Sequence, residues 1–135
     1  MDWKTIKHFS AKEWGPNAHL VAPQLIGVLD AVREKAGVPI MIHCAWSESG
    51  HSTKSYHYTG QAVDFHFGGL TPLEQYTLLR EQRAIGGVGF YPEWNNVGWH
   101  IDLRSGFLQW VQLSNVYIYG HREMAAALLA AGGKK

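Results

Sequence analysis

The sequence predicts an α+β fold in which a small, mainly antiparallel sheet lies beside helices. Three observations support this class. Residues 23–36 carry apolar side chains at helical spacing, whereas several short apolar segments later in the chain have the length and composition of strands. Turn-rich segments separate these elements, and the chain has neither internal repeats nor a linker long enough to divide it. We therefore expect a single domain that covers residues 1–135.

The composition excludes several classes of protein. The hydrophobic fraction of 46% is sufficient for a core, and the formal net charge of +1 gives no electrostatic basis for binding nucleic acid. No apolar segment of about 18 residues is present, so we expect no membrane span. We also expect no signal peptide, because residues 1–4 are not followed by an apolar segment, and we expect a monomer. The single cysteine, Cys44, lies in an apolar segment, and we interpret it as a small buried side chain.

The first half of the chain contains one clear helix and one central strand. Ser10 and Glu13 have the spacing of a capping box, which predicts a short helical turn after a mixed N-terminal segment. Pro23 begins the helix and Gly37 ends it, as is typical of these two residues at helix ends. Residues 40–46 are then predicted to form a strand, and residues 47–55 form a polar loop.

The second half alternates between strands and helices. Residues 62–67 are predicted to be a strand, and the Thr71-Pro72 pair begins a second helix that extends to about Arg83. Further strands are expected at residues 88–91 and 98–103, with an edge strand at 116–119. Residues 107–116 fit neither pattern clearly. Residues 123–130 are rich in alanine and leucine and predict a final helix.

Two of the predicted strands carry residue types that bind metals. Asp64 and His66 share one face of the first strand, and His100 and Asp102 share one face of the second, because alternate side chains of a strand point the same way. Two ligands from residues 55–67 and one from residues 98–103 would form the three-ligand site of catalytic zinc, with a fourth position for water. Two ordinary amphipathic strands would show the same pattern, so spacing alone leaves both interpretations open.

His57 is the third candidate ligand, and it lies just before the first of these strands. Gly60 allows the backbone to turn between them, so His57 can fold back toward Asp64.

The two segments together resemble a family of zinc peptidases. The first segment matches the pattern S-x-H-x-x-G-x-A-x-D, and the second half of the family pattern matches residues 87–92 and 99–102; the matching residues of the first segment are Ser55, His57, Gly60, Ala62 and Asp64. The pattern is similar to that of the D-alanyl-D-alanine carboxypeptidase family, whose relatives include phage endolysin peptidases and bacterial murein endopeptidases. The hedgehog fold is a distant relative. The resemblance covers residues 20–105 approximately.

The resemblance implies that His57, Asp64 and His100 bind one Zn²⁺ ion and that the chain hydrolyses peptide bonds in the stem peptides of peptidoglycan. It also implies a hedgehog-like or DD-peptidase-like arrangement of the α+β fold. Carboxypeptidase and endopeptidase activity both remain open. The alternative is a domain of the same fold that binds zinc and recognises peptides without cleaving them. A cell-wall peptidase without a signal peptide suits a phage or prophage lysis protein that waits in the cytoplasm. A truncated bacterial enzyme, or one exported by another route, is the alternative.

The sequence departs from the family pattern at the general base. Many members carry an acid three residues before the last histidine, and this position is Val97 here. Asp102 is the nearest acid on the same face as His100. We therefore expect Asp102 either to act as the catalytic base or to orient His100.

The sequence departs from the family pattern a second time at substrate recognition. Members often carry a substrate-binding arginine in the strand before the first motif, where this chain has His43 and no arginine. His43, His51 and Arg104 are the candidates to replace it. Ser55 is a further candidate for substrate binding.

Overall fold

A single sheet forms the centre of the fold in the computed structural model, which describes residues 1–132. Its six strands within the described residues are β1 (Ile40–Cys44), β2 (Ala62–Phe67), β3 (Gly87–Tyr91), β4 (Gly98–Asp102), β5 (Leu108–Leu113) and β6 (Val116–Tyr119). The spatial order is β1-β2-β4-β3-β5-β6. All neighbouring strands run antiparallel except β3 and β5, which run parallel. The predicted mainly antiparallel sheet is therefore confirmed.

Three α-helices accompany this sheet in residues 1–132, namely α1 (Pro23–Ala36), α2 (Pro72–Arg80) and α3 (His121–Ala131). Short 3-10 helices lie at Trp3–Thr5, Ala11–Trp14, Ala18–Leu20 and Tyr56–Thr59. The helix α1 begins at Pro23 as predicted, and Gly37 ends it in the left-handed conformation with φ of 66°. None of the helices in the described part of the chain is long and apolar enough to cross a membrane.

The apolar face of the sheet packs into the core. Val63, Phe65 and Phe67 alternate along β2 and are buried, as are Trp99 and Ile101 of β4. They belong to one cluster with the apolar side of α1, whose members Leu25, Ile26, Leu29 and Val32 are fully buried. Burying each such side chain contributes roughly 1.5–3 kcal/mol, so this core is a substantial source of stability.

A buried amide connects α2 to the back of the sheet. Gln75 is 1% exposed, and its side-chain oxygen accepts a hydrogen bond of 2.8 Å from the indole Nε1 of Trp99. Its nitrogen donates to the carbonyl oxygens of Gly69 and Leu70, each at 3.0 Å. Every polar atom of this side chain is therefore paired, which makes its burial favourable. Trp99 is adjacent to His100 in β4, so this network fixes β4 from the face opposite His100.

The bounds of several elements differ from the prediction. Strand β1 ends at Cys44 rather than at residue 46, and its register with β2 shifts between Ile42 and Cys44. The second helix ends at Arg80 rather than near residue 83. The unassigned segment 107–116 contains β5, and β6 is the predicted edge strand.

Candidate metal and peptidase site

One row of residues across the sheet organises the site. Cys44 lies opposite Asp64, and Asp64 lies opposite His100. The row continues from His100 to Gly89, from Gly89 to Trp110, and from Trp110 to Tyr119. Directly opposed residues on neighbouring strands have Cβ atoms about 4.5–5.5 Å apart, so the row brings together one residue from each of the six strands, of which only Gly89 has no side chain. A groove of about 760 Å³ lies over this face of the sheet.

His57 reaches the row from the 3-10 helix Tyr56–Thr59. The Ser55 hydroxyl accepts a hydrogen bond of 3.2 Å from the backbone nitrogen of His57 at the start of this helix. Gly60 ends the helix with φ of 72°, and a Cβ atom at this position would lie 2.0 Å from the carbonyl oxygen of Leu20. Only glycine fits this turn, and the turn returns His57 to Asp64 as predicted.

His57, Asp64 and His100 form a cluster with the geometry of a metal site. The Oδ1 atom of Asp64 lies 3.2 Å from His57 Nε2 and 2.9 Å from His100 Nδ1. All three candidate ligand atoms lie within 4.8 Å of one another. Ligand atoms around a tetrahedral zinc ion are about 3.3–3.5 Å apart, as follows from bond lengths of about 2.0–2.2 Å. The two distances from Asp64 Oδ1 lie within about 0.6 Å of this spacing, so the three side chains are placed to hold one zinc ion.

Both histidines are oriented by bonds from the ring nitrogen that faces away from the cluster. His57 Nδ1 donates to the carbonyl oxygen of Ala45 at 2.7 Å, and His100 Nε2 donates to Asp102 Oδ2 at 2.7 Å. These bonds place a proton on the outer nitrogen of each ring and leave the inner nitrogen as a metal ligand.

Asp102 is fully buried, and both of its oxygens are engaged. The side chain of Arg104 binds it in a bidentate manner, with Nε 2.8 Å from Oδ1 and Nη2 2.7 Å from Oδ2. The Arg104 backbone nitrogen adds a bond of 3.2 Å to Oδ1, and His100 donates to Oδ2. Asp102 does not line the groove. This geometry favours the orientation of His100 over proton transfer; the assignment of Asp102 as base stays a prediction.

The electrostatics of the cluster favour a cation. Burial alone would raise the pKa of Asp64, but hydrogen bonds from His100 and His57 hold this pKa well below its usual range. Burial alone would lower the pKa of His57, but its hydrogen bonds to Asp64 and Cys44 raise it to about 10. For Asp102, hydrogen bonds from His100 and Arg104 outweigh burial and bring the pKa to about 2. The ionised carboxylates stabilise positive charge next to the two histidines. A proton and a metal ion would compete for the ring nitrogens that face Asp64.

The three predicted substrate-binding residues, Ser55, His51 and Arg104, all line the groove. His51 stacks on His57 with ring centroids 4.1 Å apart and an interplanar angle of 16°. The guanidinium of Arg104 lies 4.9 Å from the ring centre of Tyr56 and 5.2 Å from that of Trp110. Their contact with a substrate stays a prediction.

Other candidates lie outside the groove. His43 and His66 pack side by side with ring centroids 4.8 Å apart, but neither lines the groove. Val97 packs against the core, so the family's acidic position has no carboxylate.

Sequence reasoning missed several residues in or next to the site. Cys44 is only half-buried, and its Sγ lies 3.5 Å from His51 Nε2; the interpretation as a purely hydrophobic core residue was wrong. Sequence reasoning also missed Trp110, Tyr117 and Tyr119, all of which line the groove. Strand β6 was predicted, but β5, the strand that it pairs with, was not. Without β5 the sequence could not show that the tyrosines of β6 face the groove.

Comparisons with known proteins identify the family of this chain. The family model described as peptidoglycan L,D-endopeptidase MepK matches residues 18–110, which is more than half of the chain. Proteins named peptidoglycan L,D-endopeptidase MepK from Escherichia coli K12, Escherichia coli O157:H7 and Shigella flexneri are each 47% identical to it over 53 residues.

Those matches cover 39% of this chain and 28% of each relative, so the aligned part is well under half of the relatives' length. No solved structure matches. The family match includes both parts of the motif and all three candidate metal ligands. It confirms the resemblance to zinc peptidases that act on murein, and the chain belongs to the peptidase family of the peptidoglycan L,D-endopeptidase MepK.

Proposed function

We propose that this chain is a zinc-dependent endopeptidase that hydrolyses a bond in the stem peptides of peptidoglycan. The observation that carries the proposal is the cluster of His57, Asp64 and His100 beside an open groove, in a member of a peptidase family. The relatives are named L,D-endopeptidases. We extend that bond type to this chain in preference to carboxypeptidase activity.

The three ligands suit zinc in number and in chemistry. His57 Nε2, His100 Nδ1 and one oxygen of Asp64 would hold the ion, and two imidazoles with one carboxylate are a donor set typical of catalytic zinc. When bound, zinc lowers the pKa of a coordinated water to about 7 and polarises the scissile carbonyl.

The protein's own residues fix the ligands before any substrate arrives. The carbonyl of Ala45 holds the ring of His57, and the carboxylate of Asp102 holds the ring of His100. Arg104 in turn holds Asp102 through two side-chain bonds. Such outer partners set both the orientation and the basicity of a ligand histidine. In this proposal Asp102 is a positioning residue.

Arg104 also offers a positive charge to the substrate. Its Nε and Nη2 donate to Asp102, whereas Nη1 donates no hydrogen bond within residues 1–132. The guanidinium lines the groove and is fixed between Tyr56 and Trp110. Stem peptides carry carboxylates, and a pre-oriented guanidinium is well suited to bind one. We propose that Arg104 takes the role of the family's substrate-binding arginine.

Hydrolysis also requires a group that accepts a proton from water and returns it to the leaving amine. Among the described residues that line the groove, Asp64 is the only carboxylate and His51 is the only imidazole that is not a candidate ligand. We therefore propose His51 for this proton transfer.

A second candidate function is recognition of stem peptides without cleavage. The specific observation in its favour is that no carboxylate other than Asp64 lines the groove in residues 1–132, and that Val97 occupies the family's acidic position.

Digestion of purified peptidoglycan tests the proposal. Products released by the zinc-loaded protein are identified by mass spectrometry, which detects activity and names the bond that is cut. We expect new muropeptides, their loss with a chelator, and recovery with added zinc. His57→Ala should lose both zinc and activity, whereas the matched control His43→Ala should keep both, because His43 lies outside the groove.

Two results would contradict the proposal in different ways. A wild-type protein that binds zinc but releases no muropeptide would support the recognition domain. A wild-type protein that binds no zinc after dialysis against the metal would refute the assignment of the three ligands.

A further inference from the structure

A second group of metal-binding side chains lies directly beside the first. Cys44 Sγ is 3.5 Å from His51 Nε2 and 3.9 Å from His57 Nδ1. These three ligand atoms all lie within 4.8 Å of one another. Cys44 reaches this position because it lies opposite Asp64 in the β1–β2 pair, next to the register shift in β1. His51 lines the groove, so an ion can approach from the solvent.

The separation of Cys44 and His51 matches that of two ligands on one ion. Bonds of about 2.3 Å to sulfur and about 2.0–2.1 Å to nitrogen place the two donor atoms roughly 3.5–3.6 Å apart in a tetrahedral zinc site. The observed distance between Sγ and Nε2 is 3.5 Å. A weak S–H···N hydrogen bond has a similar length, and the experiment below separates these two explanations.

We propose that Cys44 and His51 bind a second divalent metal ion of the thiolate-seeking class, with solvent completing its coordination. Binding breaks the S–H bond, forms a metal–sulfur bond and releases the proton to solvent. A thiolate and an imidazole are softer donors than the set His57, Asp64 and His100, so Cd²⁺, Co²⁺ or excess Zn²⁺ suits the second site. His57 is not a ligand there, because its Nδ1 is already bonded to the carbonyl oxygen of Ala45 at 2.7 Å.

Occupancy of the second site has a consequence for the first. The His51 ring stacks on the His57 ring at 4.1 Å between centroids. An ion bound to His51 removes the lone pair that we propose for proton transfer and adds positive charge beside the first ion. The second ion is therefore expected to inhibit hydrolysis. Only this consequence rests on the proposed function, whereas the binding itself does not.

Cobalt titration of the reduced, metal-free full-length chain tests the second site. Co²⁺ bound to a thiolate shows a sulfur-to-metal charge-transfer band in the near ultraviolet, whereas Co²⁺ bound only to nitrogen and oxygen does not. The chain has one cysteine, so any such band reports Cys44. We expect the first equivalent to give only visible d–d bands and the second to give the sulfur band.

Three variants locate the second ion. Cys44→Ser should lose the sulfur band and keep the first equivalent. His51→Ala should shift the second phase of the titration to higher cobalt concentration. His43→Ala is the matched control, and its titration should equal that of the wild type, because His43 and His66 form a separate histidine pair.

Several results would overturn the second site. No sulfur band in excess cobalt would show that Cys44 and His51 are only hydrogen-bonded. A sulfur band in the first equivalent that is lost in His57→Ala would place Cys44 in the primary site, and a second equivalent without the band would place that ion elsewhere. Failure of the first site has a different signature. The sulfur band would still saturate, but the visible d–d bands of His57→Ala would equal those of the wild type.

Discussion

At the residue scale, Asp102 is a buried carboxylate that orients the candidate metal ligand His100 without being a ligand itself. It is 0% exposed and accepts bonds from His100 and from three nitrogen atoms of Arg104. An ionised carboxylate in this position requires such complete pairing, because an unpaired buried charge is very unfavourable. The same bonds leave little capacity to accept a further proton from water.

We predict that Asp102→Asn weakens zinc binding about 10–100-fold, as is typical when the partner of a ligand histidine is lost. Hydrolysis of purified peptidoglycan should then return when zinc is added in excess. Asparagine is preferred to alanine because it keeps the shape of the side chain and leaves no cavity. Activity and bound zinc are measured together across a zinc titration.

The opposite result would restore the catalytic assignment of Asp102. A variant that retains stoichiometric zinc but loses hydrolysis by at least about a hundredfold, a barrier increase of roughly 2.7 kcal/mol, would identify Asp102 as the base. Circular dichroism of the variant controls for loss of fold.

The family resemblance supplied the three candidate ligands, whereas strand periodicity placed His100 and Asp102 on one face and left metal binding open. The sequence could not decide whether Asp102 acts as the catalytic base or orients His100. The choice depends on the bidentate bond from Arg104, which is a matter of side-chain conformation and not of spacing.

At the element scale, the glycines of β3 are required by the side chains of neighbouring strands. A Cβ atom at Gly87 would lie 2.3 Å from Asp102 Oδ2, and one at Gly89 would lie 2.5 Å from the indole of Trp110. Trp110 is 7% exposed and donates from Nε1 to the hydroxyl of Tyr91 at 3.1 Å, so it has little freedom to move. Strand β3 therefore has no room for a side chain at these two positions.

We predict that Gly89→Ala lowers the free energy of unfolding by about 1–3 kcal/mol, the usual cost of overpacking a well-filled site. Gly27→Ala in α1 is the matched control, because no atom lies within 4 Å of its added Cβ. This control should raise the free energy of unfolding by about 0.4–1 kcal/mol. Denaturant titration of both variants measures the difference, and equal effects would refute the steric argument.

Local signals predicted most elements and missed one strand. The α1 helix has both end signals, Pro23 and Gly37, and its bounds agree with them. Strand β5 was not assigned because its sequence, Leu108 to Leu113, has apolar residues on both faces. Both faces are in use: Trp110 lines the groove, whereas Val111 belongs to the core cluster.

At the scale of the whole molecule, the site depends on strand order, which no local pattern contains. Strand β4 pairs with both β2 and β3, and the register places Asp64 directly opposite His100. Long-range pairing of this kind is set by the complete fold. The family resemblance supplied the three ligands, but the fourth member of the neighbourhood, Cys44, is brought in only by the edge strand β1.

The core is also what decides whether the metal is needed for folding. The buried cluster extends over α1, the sheet and α3, and it includes Phe65, Trp99 and Met124. Zinc at its proposed ligands would touch only one face of the sheet. Chelation should therefore lower the melting temperature while the far-ultraviolet dichroism of the folded protein is retained.

The size of this shift follows from mass action. Zinc at a hundredfold excess over its dissociation constant stabilises the native state by about 2.7 kcal/mol. For a domain of this length that corresponds to roughly 10 °C. His57→Ala provides the control, because a protein without the first site should show little change with chelator. Complete loss of the dichroism signal on chelation would instead mean that zinc is structural, since a core of this extent would then be unable to hold the sheet without it.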